Sequence, residues 1–404
     1  MHRPDNPTQI ASMSLPFTDD EYSSRLAKVR VRMDETGIEL LLVTDPANIN
    51  YLTGYDSWSF YVPQVVAVPR DPSNGPLWIG RQMDTAQAPL TSWLPASNVV
   101  GYPEIYIQTR DRHPIDWIAG YLLDHGWNSR RIGIETDTYY LSPKALDRLR
   151  AGLPNSTLVD ADLLVNWVRS VKSETELAYM RSAARLVERV MQVAIDTIAP
   201  GVRQCDAMAA IMATQIGGSA EFAGHPTALA PLLMTGRAAA APHPVWTNER
   251  FEIDQTTSLE LGASRHRYHA ALARTLHWGK PPERLVNTTK IVEEGLEAAL
   301  ATIKSGIAAG EVEAAWRRVL DRNGLKKESR IGYAIGLGYP PDWGEHTISL
   351  RAGETTVLEA DTTIHVMLGM WMDDWGMEMS ETVRVTRTGV ECLTNFPRGL
   401  EVRT

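Results

Sequence analysis

The chain has 404 residues, 44% of them hydrophobic and 22% charged, which is the balance of a folded protein too long for one ordinary core. Its formal net charge of −9 argues against a nucleic-acid groove, which needs a basic stripe against the phosphates. No apolar run reaches the length of a membrane span. The start MHRPDNPTQIASMSLPFTDDEY lacks the apolar centre of a signal peptide, and Cys205 and Cys392 form neither a disulfide framework nor a zinc spacing. A cytoplasmic protein is the expectation.

Tyr22, Leu26, Val29 and Met33 recur at helical spacing and predict an amphipathic helix over residues 20–37. Leu40–Val43 reads as a buried strand, and TDPANINYLTGY as a turn into a second one. PLWIG (76–80), NVVGY (98–102), a helix near 114–126 and RIGIE (131–135) continue a doubly wound α/β pattern. Around 160–176 the pattern changes. Ser173 with Glu176 makes a capping box that starts a long helix ending at Pro200-Gly201, and CDAMAAIMATQIGGSA carries a second helix. Strand-like TTSLELGA, ALARTLHWG, TTIHVMLGMW and ETVRVTRTG follow, with a helical pair near 283–304 and 310–323 between them. These segments predict a curved, mostly antiparallel sheet backed by helices. The expected organisation is an α/β domain over residues 1–168 and an α+β domain over 169–404.

GYAIGLGY, VLEADTTIHVMLGMW and MSETVRVTRTG, in that order, resemble the pita-bread family of methionine aminopeptidase, prolidase and creatinase. The resemblance implies a creatinase-type N-terminal domain followed by a pita-bread catalytic domain. Metal-dependent members hold two ions with two aspartates, a histidine and two glutamates. Carried over, these fall on Glu260, Ala271, Tyr333, Met367 and Ser380, the last beside Glu381. Alanine and methionine offer a hard divalent ion nothing, and a glutamate with a tyrosine and a serine cannot build a bridged pair. The expectation is a site with no metal and no other cofactor.

Two stretches, NYLTGYDSWSFYVPQ (50–64) and LELGASRHRYHAALART (259–275), are similar to a narrower branch of the family, the ectoine hydrolases. That likeness implies a small zwitterionic amidine substrate, ectoine or 5-hydroxyectoine, opened to N-acetyl-2,4-diaminobutyrate. The amidinium carbon is already electrophilic, so the protein must supply a nucleophile, move protons and hold the cation. Glu260, on the apolar strand SLEL, is the expected nucleophile or base, against the plainer reading of a glutamate paired with Arg265 or Arg274. His243 in APHPVW falls on a creatinase histidine that shuttles protons, and Tyr333, in place of the metal histidine, offers a hydroxyl for a developing anion or else simply packs.

Glu345 and His346 in PPDWGEH, His365 and Glu378 beside the former glutamate positions, and Arg237 in MTGRAA are candidate substrate contacts. Trp58, Tyr61 and Trp371 make a candidate aromatic box for the cation. The resemblance also implies a homodimer in which the N-terminal domain of one subunit reaches its partner's active site. Alternatives are an amidinohydrolase acting on another small guanidino or amidino acid, a metal-dependent Xaa-Pro peptidase or lyase on the same fold, which the missing ligands disfavour, and a pseudo-enzyme that binds a solute or a protein partner without turnover. Ala273, where creatinase carries a glutamate, argues against creatine itself.

Overall fold

Thr18 opens the first helix, Asp19–Thr36, by accepting the Glu21 N–H at 3.3 Å, and Gly37 closes it at φ 69°. Tyr22, Leu26, Val29 and Met33, the residues whose spacing predicted it, are buried along one face. The structure, a computed structural model, describes residues 15–404. Two compact units result, one ending at Arg169 and the other running from Ser170 to Thr404.

The first unit is built on a six-stranded sheet of β1 (Leu40–Val43), β2 (Val65–Pro69), β3 (Leu77–Arg81), β4 (Val99–Tyr102), β5 (Arg131–Ile134) and β6 (Thr157–Asp160). The order is β4-β3-β2-β1-β5-β6. The sheet is mixed, because β2 runs antiparallel to both β1 and β3. The segment joining β2 to β3 is too short to cross back over the sheet, so those strands cannot be parallel. Ile115, Ile118, Ala119 and Leu122, from the helix Pro114–Asp124, pack with Leu40, Leu42, Val65 and Ile79 in one core.

TDPANINYLTGY corrects the sequence reading. It forms a helix, Pro46–Thr53, where a turn into a strand was expected. Asp45 accepts the Ala47 N–H at 2.7 Å, Pro46 sits in the first turn where its missing N–H costs nothing, and Gly54 ends the helix at φ 76°.

The second unit begins with the predicted capping box. Ser173 Oγ accepts the Glu176 N–H at 3.2 Å and Glu176 Oε2 accepts the Ser173 N–H at 2.7 Å, opening the helix Glu174–Thr197. The sheet comprises β7 (Leu232–Thr235), β8 (Thr256–Arg265), β9 (Tyr268–Trp278), β10 (Gly332–Tyr339), β11 (Asp342–Ser349), β12 (Thr363–Trp371), β13 (Gly376–Val385), β14 (Val390–Cys392) and β15 (Leu400–Arg403). Its order is β14-β13-β12-β10-β9-β8-β7, with β11 on β10 and β15 on β9. Every pairing is antiparallel except β15 with β9.

Helix Glu174–Thr197 packs on β8 and β9, and helix Glu283–Thr302 on β12 and β13. Helices Gln204–Gly217 and Ala309–Arg322 pack beside these two. The strands are buried through most of their length, and polar side chains set among them need partners from the strands themselves.

Candidate active site

β8 and β9 hold Glu260 directly opposite Ala273, and Gly262 opposite Ala271. β12 and β13 hold Met367 directly opposite Ser380. The positions that carry metal ligands elsewhere in the family are thus presented by paired strands, but the side chains have other partners. The Ala271 N–H donates to Thr382 Oγ1 at 2.9 Å and the Ala273 N–H donates to Ser380 Oγ at 2.7 Å. Among the described residues no three histidine, cysteine, aspartate or glutamate side chains come together as a metal set. Alanine and methionine contribute no hard donor, and the serine hydroxyl is already engaged. The residues present do not fit a two-ion centre.

A chain of neutral hydrogen bonds stands in that place. Trp343 Nε1–H donates to Tyr333 Oη at 2.9 Å, and Tyr333 Oη lies 3.1 Å from His365 Nδ1. The other ring nitrogen, Nε2, lies 2.8 Å from Ser380 Oγ. Gly262 is required here, because a Cβ would stand 2.5 Å from the Trp343 ring. Burial, with the Arg330 charge added, pulls His365 down to about 3, so the ring stays neutral near pH 7. Burial and the charge of Glu260 hold Tyr333 well above its ordinary value, so it remains a phenol with a proton to give.

Glu260 is 5% exposed, and its Oε1 lies 3.9 Å from His365 Nδ1. Among the described residues no arginine neutralises it: Arg274 Nη2 pairs with Glu381 at 2.8 Å, and its remaining donors go to main-chain carbonyls. Burial, together with the charge of Asp342, pushes Glu260 up to about 7. Glu378 is a second buried carboxyl, and neither of its oxygens has a hydrogen-bond partner among the described residues. Burial and Glu260 raise it well above the usual carboxylate range. Two buried acids with no ion pair to lysine or arginine among the described residues make a site whose negative charge is favoured by an added cation.

The other candidates are more dispersed. Trp371, at the end of β12, has Lys327 Nζ 4.3 Å from its ring centre. Glu345 Oε2 meets Lys172 Nζ at 2.7 Å with both side chains buried, so its charge is already matched. His346 Nε2 lies 3.4 Å from Asp342 Oδ2 at the partly open edge of β11. His243 sits in an exposed loop tied to β7 by the Leu233 N–H donating to Pro244 O at 3.3 Å. Among the described residues no hydrogen bond joins His243 to Glu260. Arg237 is exposed on the short turn Gly236–Ala240.

Trp58 and Tyr61 belong to the first unit and are 56% and 64% exposed, Trp58 leaning on Phe60 with ring centres 5.0 Å apart. Sequence reasoning did not single out Trp343 or Lys327. Trp343 lies within PPDWGEH, where only Glu345 and His346 stood out as contacts, and no motif surrounds Lys327; the β10–β11 pairing and the approach to Trp371 bring the two in.

Residues 178–387 match metallopeptidase family M24, and residues 25–171 match the creatinase/prolidase N-terminal domain. The chain belongs to this family, with both domains of its creatinase and prolidase members. It is 40% identical to the ectoine hydrolase of Halomonas elongata, over 98% of this chain and 100% of that one. It is also 42% identical to an uncharacterized hydrolase/peptidase of Sinorhizobium fredii, over 96% and 99%. A prolidase from Thermococcus sibiricus superimposes with a TM-score of 0.82 at 19% identity, covering 94% of this chain and 99% of that one. An X-Pro aminopeptidase from Thermotoga maritima gives 0.79 at 20% identity, covering 93% and 99%. At such low identity the two structures speak for the fold alone.

Proposed function

We propose that the protein hydrolyses the cyclic amidine of ectoine to N-acetyl-2,4-diaminobutyrate without a metal ion. The observation that carries the reading is Glu260, a buried carboxylate that no lysine or arginine pairs with among the described residues and whose near neighbour His365 is neutral. An amidinium supplies the missing positive charge and brings its own electrophilic carbon. The near full-length likeness to an ectoine hydrolase names the substrate.

In this reading Glu260 attacks the amidinium carbon, forming a carbon–oxygen bond and a tetrahedral adduct. One ring carbon–nitrogen bond then breaks, and the nitrogen leaves as an amine after taking a proton. Water cleaves the remaining ester-like bond, returning Glu260 and leaving the acetyl group on the second nitrogen. Tyr333 keeps its proton and is assigned to donate near the reacting carbon, while His365, itself fixed by Ser380, holds the phenol in position. His243, on its exposed loop, is assigned to proton exchange with solvent.

The protein acts in the cytoplasm as a homodimer, with Trp58 and Tyr61 of the partner subunit closing over the cation. Their exposure in an isolated chain supports that role. Among the described residues no helix is long and apolar enough to cross a membrane.

Incubation with ectoine, creatine and a proline dipeptide, followed by NMR, tests the assignment. Ring-opened product from ectoine alone is expected, and rapid quenching should trap a substrate-mass adduct on the peptide containing Glu260. Turnover of the dipeptide with none of ectoine refutes it.

A further inference from the structure

Lys327 lies in LKKES, ahead of β10, where nothing in the sequence marks it. Its side chain is nevertheless buried, with 7% exposure. The ammonium donates to the Gly369 carbonyl and rests over the face of Trp371. Gly369 carries no side chain because the Trp371 indole lies 2.4 Å from where its Cβ would be, so the ring folds back along β12. Directly across from Gly369 in the strand register stands Glu378, with both oxygens buried and unpartnered.

Lys327 and Glu378 lie close enough to influence each other's charge, yet they do not approach within the 4.0 Å of an ion pair. An ammonium has three N–H bonds. Gly369 takes one, the indole face attracts another, and one donor is left. Burial and the Glu260 charge shift Glu378 toward its neutral form against the pull of Lys327, and in that form it has a hydrogen to give and no charge to repel an anion. A buried cation with a spare donor, standing apart from a buried acid with no partner, is an incomplete hydrogen-bond set. A ligand group that accepts from both completes it.

We propose that Lys327, framed by Trp371 and Gly369 and facing Glu378, anchors the carboxylate of the substrate and selects amidines that carry an acid. The proposal rests on the reading of the site as an amidine hydrolase. The sequence of charges is then Glu260, neutral Glu378 and Lys327, which suits a zwitterion laid with its amidinium on Glu260 and its carboxylate on the lysine. Arg330, over the Tyr333 ring at 4.4 Å, and Arg237 are the competing cations. Both are exposed, where water competes for the anion.

The test compares ectoine with 2-methyl-1,4,5,6-tetrahydropyrimidine, the same ring without the acid, in the full-length wild-type enzyme and in Lys327→Met and Arg330→Gln. Removing the acid from the substrate, or the ammonium from the enzyme, is expected to lower kcat/KM by roughly 30- to 1000-fold. The two losses should not multiply, so Lys327→Met treats the two amidines alike within about twofold. A Lys327→Met enzyme that keeps the wild-type preference overturns the anchor, as does a preference lost only in Arg330→Gln. Equal kcat/KM for both amidines in the wild type overturns it with no variant needed. A wild-type enzyme inert toward ectoine refutes the amidine-hydrolase reading and the anchor with it, whereas turnover with an unchanged preference refutes the anchor alone.

Discussion

Ser380 Oγ accepts the Ala273 N–H and lies 2.8 Å from His365 Nε2, joining β13, β9 and β12 through one hydroxyl. The family resemblance puts a metal-binding glutamate at this position. Here the serine performs a mechanical task, fixing the imidazole that in turn meets Tyr333 and Glu260. Ser380→Ala leaves the buried Ala273 N–H without an acceptor, which costs about 1–3 kcal/mol. A lower urea midpoint with an unchanged m-value is the expected result, and a midpoint equal to the wild type's would contradict this account.

Glu260→Gln removes both a reacting group and a buried charge. Activity on ectoine should fall by roughly 1000-fold or more. Stability should move the other way. Glu260 is raised to about 7 in the folded protein, above the ordinary glutamate value of about 4.3. The native state therefore holds the proton more tightly, and stability is lost as pH rises through about 7. The glutamine variant has no charge to bury, so at pH 8 it should be more stable than the wild type, on the order of 3 kcal/mol. Thermal melts at pH 5 and pH 8 check the sign: the gain must appear at the higher pH.

The rate should depend on pH as a bell. For kcat/KM, activity climbs with pH through about 7 as Glu260 ionises. It falls again above about 8, to which burial has lowered Lys327. The bound amidinium favours ionised Glu260, so the acid limb of kcat should lie below that of kcat/KM. Lys327→Met should lose the alkaline limb and keep the acid one. A profile flat from pH 6 to pH 9 would contradict both assignments.

Dialysis against a strong chelator should leave turnover of ectoine unchanged, because the strands that present ligands elsewhere present Ala271, Met367 and Ser380 here. Elemental analysis of the active enzyme should find far less than one transition ion per chain. Activity that disappears on chelation and returns with added metal would require a different site.

Much of this architecture was legible from local pattern. The capping box at Ser173 and Glu176 forms as its residues predict, and Leu40–Val43 and SLEL become the strands expected of them. Asp45-Pro46, a cap followed by a residue fit for a first turn, was a helix signal overlooked in favour of the extended look of NYLTGY. Glu345 read as a loop residue open to substrate, and nothing near it in sequence announces Lys172, which lies 173 residues away and matches its charge.

The sequence by itself determined most of the order of helices and strands and the place of Glu260 on a buried strand, because each depends on residue type and short-range spacing. Tertiary structure alone decided which polar groups meet. The hydrogen bonds of His365 with Tyr333 and Ser380, the unpartnered oxygens of Glu378 and the burial of Lys327 against Trp371 all arise from strand register and from contacts between distant segments. Hydrogen bonds and buried charges are set by distances of a few ångströms between such segments, and no periodicity along the chain encodes those distances.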